Sequence, residues 1–345
     1  MLNYDDFCST SKRKGKNMNN RMNDEQEWFR QLTEGKKGKT QRTSTAGRKS
    51  IDQPRRHPKN SKQGFKCVAG MDELKTLFME GFINVLRNPK CAMAFGVRPP
   101  SVLLYGPSGC GKTFFAEKAA EEAGIAFMKV EPDSIASPYI HGTQEKIEQV
   151  FEDAEAQSPV LLFFDEFETM VPIRSGIGND NEQRSGETNE FLCKLNNAAD
   201  KGIYVVAATN RPDRIDPAVL RTGRMDEIIY VDMPDVKARE GLFRLFLADL
   251  PVSSDVDHHA LAEMTEGYNC SDIDYIVRVA ARKMFNANVK NRNSRYRKIS
   301  QALIEETIRG RMPSVDSQSL RGFDRMRAQF SIEGRRQPAT IGFHC

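Results

Sequence analysis

The fold of this chain is decided by the octapeptide Gly106-Pro107-Ser108-Gly109-Cys110-Gly111-Lys112-Thr113. It matches the pattern G-x-x-x-x-G-K-S/T, in which glycines let backbone N–H groups turn towards phosphate oxygens. Lys112 supplies a positive charge to the β- and γ-phosphates, and the hydroxyl of Thr113 is a ligand for Mg²⁺. The loop lies between an apolar run at Val102–Tyr105 and a helical pattern that begins at about Lys112. This order of strand, loop and helix predicts a site for the phosphates of a nucleotide.

Short apolar runs alternate with helical patterns on both sides of this loop. Strands are predicted at Val102–Tyr105, Ala126–Val130, Val160–Phe164, Ile203–Ala207 and Glu227–Val231, and helices at about Lys112–Ala123, Thr143–Ala156 and Gly186–Ala199. Continuous apolar strands separated by helices indicate a parallel sheet that is covered on both faces. After Pro234 only helical patterns follow. The predicted fold class is α/β, a P-loop αβα sandwich with a parallel sheet, followed by a small C-terminal helical lid domain.

Composition divides the chain into four predicted regions. Residues 1–65 are poor in aliphatic side chains, so we expect a basic, disordered N-terminal segment. The α/β core is predicted at 66–233, the helical lid at 234–312 and a flexible tail at 313–345. Residues 1–66 hold 17 Lys or Arg and 7 Asp or Glu, a net of +10, so the remainder carries −6 of the total of +4. The basic segment could bind nucleic acid, an acidic polypeptide or an anionic membrane, or stay solvated.

Two acidic residues follow the apolar strand at Val160–Phe164. Asp165, with Thr113, is predicted to hold Mg²⁺, largely through water, and Glu166 to polarise the attacking water. An apolar run followed by Asp-Glu can also be an ordinary strand end. Here it comes one strand–helix–strand unit after the phosphate loop, and the carboxyl ends of parallel strands share one edge of the sheet. We therefore expect both carboxylates beside the phosphates of ATP.

Asn210 follows the next predicted strand, Ile203–Ala207. By itself it could be a turn residue before Arg211-Pro212. At the carboxyl edge of the sheet, its amide can instead form a hydrogen bond with the γ-phosphate or the attacking water. We therefore include Asn210 in the predicted catalytic site.

The seven cysteines are dispersed, without a C-x-x-C pair or a histidine at metal-ligand spacing. This pattern is typical of reduced thiols in a cytosolic protein. No apolar run approaches the roughly 18–20 residues that a membrane-spanning helix needs. The sequence therefore predicts a protein of the cytoplasm, or in a eukaryote of the nucleus, without a transmembrane segment.

Five motifs occur in order along the chain: Val68-Ala69-Gly70-Met71-Asp72-Glu73, the octapeptide at Gly106, FFDEFE from Phe163, ATNRPDRIDPAVLRTGRMD from Ala208, and Gly267-Tyr268-Asn269-Cys270-Ser271-Asp272-Ile273. With these motifs the sequence resembles the AAA ATPases of the protein-remodelling type, over about residues 66–312. The long stretch from Ala208 is the most specific of them. The lid departs from the family pattern, which usually has Gly-Ala where this chain has Cys270-Ser271.

The resemblance implies roles for residues that spacing alone does not assign. The adenine base of the nucleotide would lie against Val68, Ala69, Gly70, Cys270 and Ser271. Asn210 would be the residue known in the family as the first sensor. Arg221 and Arg224 match the arginines that reach into a neighbouring subunit's site; the alternative is a surface loop with two paired arginines. An active site shared between subunits implies a homo-oligomer, by family a hexameric ring.

The resemblance also implies a substrate. Family members grip an unfolded polypeptide with an aromatic–aliphatic–Gly loop in the central pore, and Tyr139 and Ile140 occupy that place. The pattern is not exact, because His141 lies between Ile140 and the glycine, Gly142. Tyr139 could instead be an ordinary packing aromatic.

The sequence thus predicts a Mg²⁺-dependent, ATP-hydrolysing ring that remodels or unfolds polypeptides through a central pore. The alternative is a nucleic-acid motor or loader recruited by the basic segment, although no nucleic-acid recognition module is visible. A scaffold that binds ATP without turnover is a third possibility. The presence of Lys112, Asp165, Glu166 and the arginine pair argues against it.

Overall fold

The computed structural model describes residues 64–135, 142–173, 179–221, 224–290 and 297–330. Within them, five strands form one parallel sheet in the order β2-β3-β4-β1-β5. Their bounds are Val102–Tyr105 (β1), Ala126–Val130 (β2), Val160–Phe164 (β3), Ile203–Thr209 (β4) and Glu227–Tyr230 (β5). The three central strands are buried along their whole length, as expected for a parallel sheet covered on both faces. The predicted α/β fold class is confirmed.

The helices flank the sheet or follow it. Their bounds are Asp72–Phe78 (α1), Asn84–Arg87 (α2), Pro89–Phe95 (α3), Lys112–Ala123 (α4), Pro132–Ile135 (α5), Gly142–Glu155 (α6), Asn179–Ala198 (α7), Val236–Leu247 (α8), His258–Glu263 (α9), Cys270–Lys290 (α10), Gln301–Arg309 (α11) and Ser317–Phe330 (α12). A π-helical turn at Met79–Ile83 joins α1 to α2. Among the described residues, no helix combines the length and hydropathy needed to cross a bilayer.

Alternate residues of each central strand enter two different apolar clusters. Leu161 and Phe163 of β3 pack with α4, whereas Leu162 and Phe164 pack with α6 and α7. Side chains of a strand alternate between the two faces of the sheet. The next residue, Asp165, therefore leaves the strand on the face of α4, the helix that begins at Lys112. Helix α4 and β3 thus bring the phosphate loop and the acidic residues after Phe164 to the same edge of the sheet.

Helices α8 to α11, which we call the lid, share a third apolar cluster, centred on Phe243, Ile273 and Ile304. The lid begins with a capped helix, because the carboxylate of Asp235 accepts a hydrogen bond from the backbone N–H of Ala238 at 2.7 Å. The predicted helical region after the sheet is therefore present.

Residues 317–330 were predicted to belong to a flexible tail, and that prediction is wrong for this segment. They form α12, which covers the edge of the sheet at β5. The ring centroid of Phe323 lies 6.2 Å from that of Tyr230, and the ring of Phe330 lies 5.3 Å from that of Tyr105. Phe323 and Phe330 are two helical turns apart, so a mostly polar segment still presents an apolar stripe to this edge. Residues 1–63 and 331–345, where the disordered segment and the end of the tail were predicted, lie outside the described residues.

Candidate nucleotide site

The phosphate loop joins β1 to α4 in a conformation that requires glycine. Gly106 has φ 150° and Gly109 has φ 77°. A Cβ at Gly106 would collide with the carbonyl oxygen of Val231, and one at Gly109 would lie 2.6 Å from Nδ2 of Asn269. Both positions are closed to larger residues by conformation and by space. Cys110 is fully buried in the loop, and burial raises the pKa of its thiol to about 12, so it stays protonated at neutral pH.

Lys112 lies at the centre of the loop and is only 7% exposed. Its Nζ donates hydrogen bonds to the carbonyl oxygens of Gly106 and Pro107 and to Oδ1 of Asn210, each at 2.8 Å. Burial lowers the pKa of this ammonium group to about 8. A poorly solvated cation held only by neutral oxygens favours an anionic partner, which the phosphates of a nucleotide would supply. The structure thus brings Lys112 and Asn210 into direct contact.

Thr113 and Asp165 also meet. The hydroxyl of Thr113 donates to Oδ2 of Asp165 at 3.2 Å, and the other carboxylate oxygen, Oδ1, accepts the backbone N–H of Glu166 at 3.1 Å. A hydroxyl and a carboxylate at this separation form the hard oxygen donor set that suits Mg²⁺, with water and phosphate oxygens completing the shell. These two residues therefore fit the predicted metal.

Glu166 has a left-handed backbone conformation (φ 48°), which is uncommon outside glycine. Its carbonyl oxygen accepts hydrogen bonds from the backbone N–H and the hydroxyl of Thr169, at 2.9 and 2.8 Å, which hold the turn. The side chain is exposed at the carboxyl edge of the sheet. A strained residue held in place at such an edge is a candidate for function.

Sequence reasoning missed a contact that supports Asn210. The residue before it, Thr209, is buried, and its hydroxyl donates to Oε2 of Glu168 at 2.6 Å while accepting the N–H of Arg211 at 2.9 Å. These bonds tie the end of β4 to the turn that carries Glu166. The available signal was a polar residue at the end of an apolar strand. Nothing local indicated its partner, which lies 41 residues earlier.

The predicted contacts of the nucleotide base converge between the sheet and the lid. Val68 packs in the cluster of α4, whereas Ala69 packs against the lid cluster, and Gly70 lies against Ala238 of α8. From the lid, the backbone N–H of Ser271 donates to the carbonyl of Gly109 at 3.2 Å. Cys270 also reaches the loop, since a Cβ at Gly111 would lie 3.9 Å from its Sγ. Cys270 and Ser271 therefore border the phosphate loop, whereas Val68, Ala69 and Gly70 lie between the cluster of α4 and the lid.

A second missed feature is the polar network that joins the lid to this loop. Nδ2 of Asn269 donates to the carbonyl of Ser108 at 3.0 Å and to the hydroxyl of Ser314 at 2.9 Å. Asp272 is 1% exposed and accepts hydrogen bonds from Nη2 of Arg311 at 2.6 Å and from Oγ of Ser314 at 2.9 Å. The segment after the lid therefore anchors the lid against the phosphate loop.

Arg221 and Arg224 are not brought to this site. Arg221 is exposed, and Nη1 of Arg224 donates to the carbonyl oxygen of Ala218 at 2.6 Å. Arg224 lies two residues before Asp226, whose N–H bonds to the carbonyl of Ser101 at the amino end of β1, 2.9 Å away. The phosphate loop begins at the opposite end of β1, roughly 16 Å along the strand at the usual rise per residue. The predicted pore residues Tyr139 and Ile140 lie outside the described residues.

Comparison with known proteins agrees with this geometry. Residues 102–233 match the family model described as ATPase family associated with various cellular activities (AAA). Over 273 residues the chain is 32% identical to the Cell division cycle protein 48 homolog of Archaeoglobus fulgidus, a match that covers 76% of this chain and 37% of that protein. It is 36% identical over 247 residues to the ATP-dependent zinc metalloprotease FtsH 3 of Symbiobacterium thermophilum, covering 71% of this chain and 38% of that protein.

The chain thus spans less than two fifths of the length of these relatives. The family model covers the region of the sheet and the phosphate loop. A phosphate loop, an acidic strand end and a polar strand end meet at one edge of a parallel sheet here, in the part of the chain that the family model covers. The chain therefore carries an AAA domain and belongs to the AAA family.

Proposed function

We propose that this chain binds ATP with Mg²⁺ and hydrolyses it at the site formed by Lys112, Thr113, Asp165, Glu166 and Asn210. The observation that carries the proposal is the pair of contacts at the sheet edge: Lys112 to Asn210 at 2.8 Å and Thr113 to Asp165 at 3.2 Å. Phosphoryl transfer depends mainly on positioning and on stabilising charge, and these residues supply both.

Each side chain has a distinct task in this proposal. Thr113 and Asp165 hold the metal, which neutralises charge on the β- and γ-phosphates when it is bound. Lys112 exchanges its carbonyl partners for phosphate oxygens, and the released amide of Asn210 orients the γ-phosphate or the water. Glu166, exposed at the same edge, accepts a proton from the attacking water as the bond from the water oxygen to the γ-phosphorus forms; the bond from the γ-phosphorus to the β–γ bridging oxygen breaks, and ADP leaves.

We propose further that the site is completed by Arg221 and Arg224 of a neighbouring copy in a ring. Membership of the AAA family implies that this ring is a hexamer. The support is positional, because these arginines lie towards the amino edge of the sheet and the phosphate loop lies at the carboxyl edge. Arg224 cannot serve its own loop from there without rearrangement. Its guanidinium in a neighbour's site would stabilise charge on the transferred phosphoryl group.

The proposed substrate is a polypeptide, gripped by Tyr139 and Ile140. One of the relatives is named a protease and so acts on polypeptides.

The proposed compartment is the cytoplasm, since Cys91, Cys110, Cys193 and Cys270 are thiols. The basic segment before residue 66 is the proposed recruitment arm for an acidic partner. No observation in the described residues favours nucleic acid as the partner.

Stimulation of ATP turnover distinguishes the candidate functions. The full chain is assayed with an unfolded model protein, with single-stranded DNA and with RNA, at equal mass. We expect the unfolded protein to raise turnover, and Tyr139→Ala to remove that rise while basal turnover stays. Phe95→Ala, which alters an exposed aromatic on α3, is the matched control and should keep the rise. Stimulation by a nucleic acid alone would contradict the proposed substrate, and no turnover at micromolar protein with Mg²⁺ would leave a scaffold.

A further inference from the structure

Asp165, the acidic residue of the proposed metal site, has a cationic partner within its own chain. Nζ of Lys129 lies 3.1 Å from Oδ2 of Asp165. This is the same oxygen that accepts the hydroxyl hydrogen of Thr113 at 3.2 Å. A lysine therefore occupies the charge environment that the metal would enter.

The sheet places Lys129 there. In β2, Met128 and Val130 enter the cluster on the side of α6 and α7, so Lys129 between them faces the side of α4. Its register partner is Phe163, two residues before Asp165, and the backbone N–H of Asp165 bonds to the carbonyl of Val130 at 3.1 Å. Because β2 is an edge strand, the stem of the lysine can run along the sheet to the end of β3 while 34% of the side chain stays exposed.

Lys129 also has a second carboxylate in reach. Its Nζ lies 2.8 Å from Oε1 of Glu131, whose side chain is 63% exposed. The ammonium group thus bridges one carboxylate in the site and one at its rim. It can give up the first without losing all of its ionic contacts.

We propose that Lys129 competes with magnesium for Asp165 and moves to Glu131 when the metal–nucleotide complex binds, so that it sets how strongly nucleotide affinity depends on Mg²⁺. The inference rests on the proposed magnesium site. Its physical basis is repulsion, because a lysine ammonium and a divalent cation on one carboxylate oxygen repel each other, and binding of the metal must displace the lysine. Without the metal, the ammonium group of Lys129 is free to pair with a phosphate oxygen, and its positive charge then partly replaces that of the metal.

The test measures binding rather than turnover. The dissociation constant of a fluorescent ADP derivative is determined in excess EDTA and in saturating MgCl₂. The constant in EDTA divided by the constant in MgCl₂ reports the coupling between metal and nucleotide, and a larger ratio means a stronger dependence on Mg²⁺. For Lys129→Met we expect this ratio to rise by about 1.5-fold to 5-fold, the range for loss of one partly exposed charge contact. Lys129→Arg keeps the charge and should keep the wild-type ratio. Glu131→Gln removes the alternative partner and should lower the ratio.

Lys201→Met is the matched control. Lys201 pairs with Glu155 at 2.7 Å, at the amino ends of the strands, and its loss should leave the ratio unchanged. A ratio for Lys129→Met at or below the wild-type value overturns the proposal, and so does a ratio for Glu131→Gln at or above it. If the wild-type protein itself binds the nucleotide equally well with and without Mg²⁺, the proposed metal site fails instead, so the two failures are distinguishable.

Discussion

Replacement of Glu166 by Gln should slow ATP hydrolysis by about 10²- to 10⁴-fold, the usual contribution of a positioned general base, while ATP remains bound. Gln keeps the size and the hydrogen-bonding reach of Glu166 but cannot accept the proton of the attacking water. Nucleotide affinity should change little, because the residues proposed to hold the phosphates and the metal, Lys112, Thr113 and Asp165, all remain in place. Single-turnover hydrolysis and equilibrium binding of the same preparation measure the two effects separately.

The matched control for this variant is Glu155→Gln. Glu155 is half exposed, pairs with Lys201 at the opposite edge of the sheet, and should be replaceable with full turnover. Hydrolysis by Glu166→Gln within tenfold of the wild-type rate would remove Glu166 from the role of base, and attention would then turn to Glu168. A parallel loss of nucleotide affinity would show instead that the αL turn at Glu166 had rearranged.

Loss of Arg311, in the segment that anchors the lid, should destabilise the protein and should also weaken nucleotide binding. Arg311→Ala leaves the buried carboxylate of Asp272 without its ionic partner, and we expect a fall of about 2–4 kcal/mol in the free energy of unfolding, because an uncompensated buried charge is costly. Nucleotide affinity falls as well, since Asp272 and Ser314 hold Asn269 against the carbonyl of Ser108. Urea denaturation and nucleotide titration give the two values.

The control is Arg309→Ala, which removes an exposed pair with Glu305 and should cost less than about 1 kcal/mol. Equal stability of the two variants would contradict the assigned role of Asp272.

The stabilisation that Asp272 provides should also depend on pH. Burial alone would raise the pKa of Asp272, but hydrogen bonds from Arg311 and Ser314 together outweigh it and hold that pKa below its usual value. A lowered pKa in the folded state means that this stabilisation is present at neutral pH and is lost as the pH falls through the folded-state value.

The part of the site that was predictable from the sequence is the part fixed by the sheet. Val102–Tyr105 and Val160–Phe164 are uninterrupted apolar runs, each bounded by a polar residue on one side and by Gly or Pro on the other, so their ends could be located to the residue. Once a parallel sheet is assumed, its carboxyl edge collects the residues that follow each strand. That rule alone places Lys112, Asp165 and Asn210 together, and the contacts of Lys112 confirm its proximity to Asn210.

What the sequence could not show are contacts between segments far apart in the chain. The bond of Thr209 to Glu168 and the hold of Arg311 on Asp272 each join residues about 40 positions apart, without a periodic signal that pairs them. Helix α12 was missed for a related reason. Its two aromatic residues stand in a polar segment, and only the exposed edge at Tyr230 makes them a packing surface. Helix α7 begins at Asn179 rather than near Gly186, because a helix anchored by its apolar half extends through polar residues.

If each nucleotide site is shared between two copies of the chain, as proposed, then mixing two inactive variants should restore turnover. Glu166→Gln lacks the proposed base and Arg224→Ala lacks the arginine that a neighbour is proposed to supply, so each alone should turn over ATP very slowly. In a randomly mixed ring at equal amounts, one interface in four joins an intact Glu166 to an intact Arg224, and turnover should recover to about a quarter of the wild-type rate. Turnover that stays at the mean of the two variants at every mixing ratio would contradict a shared site.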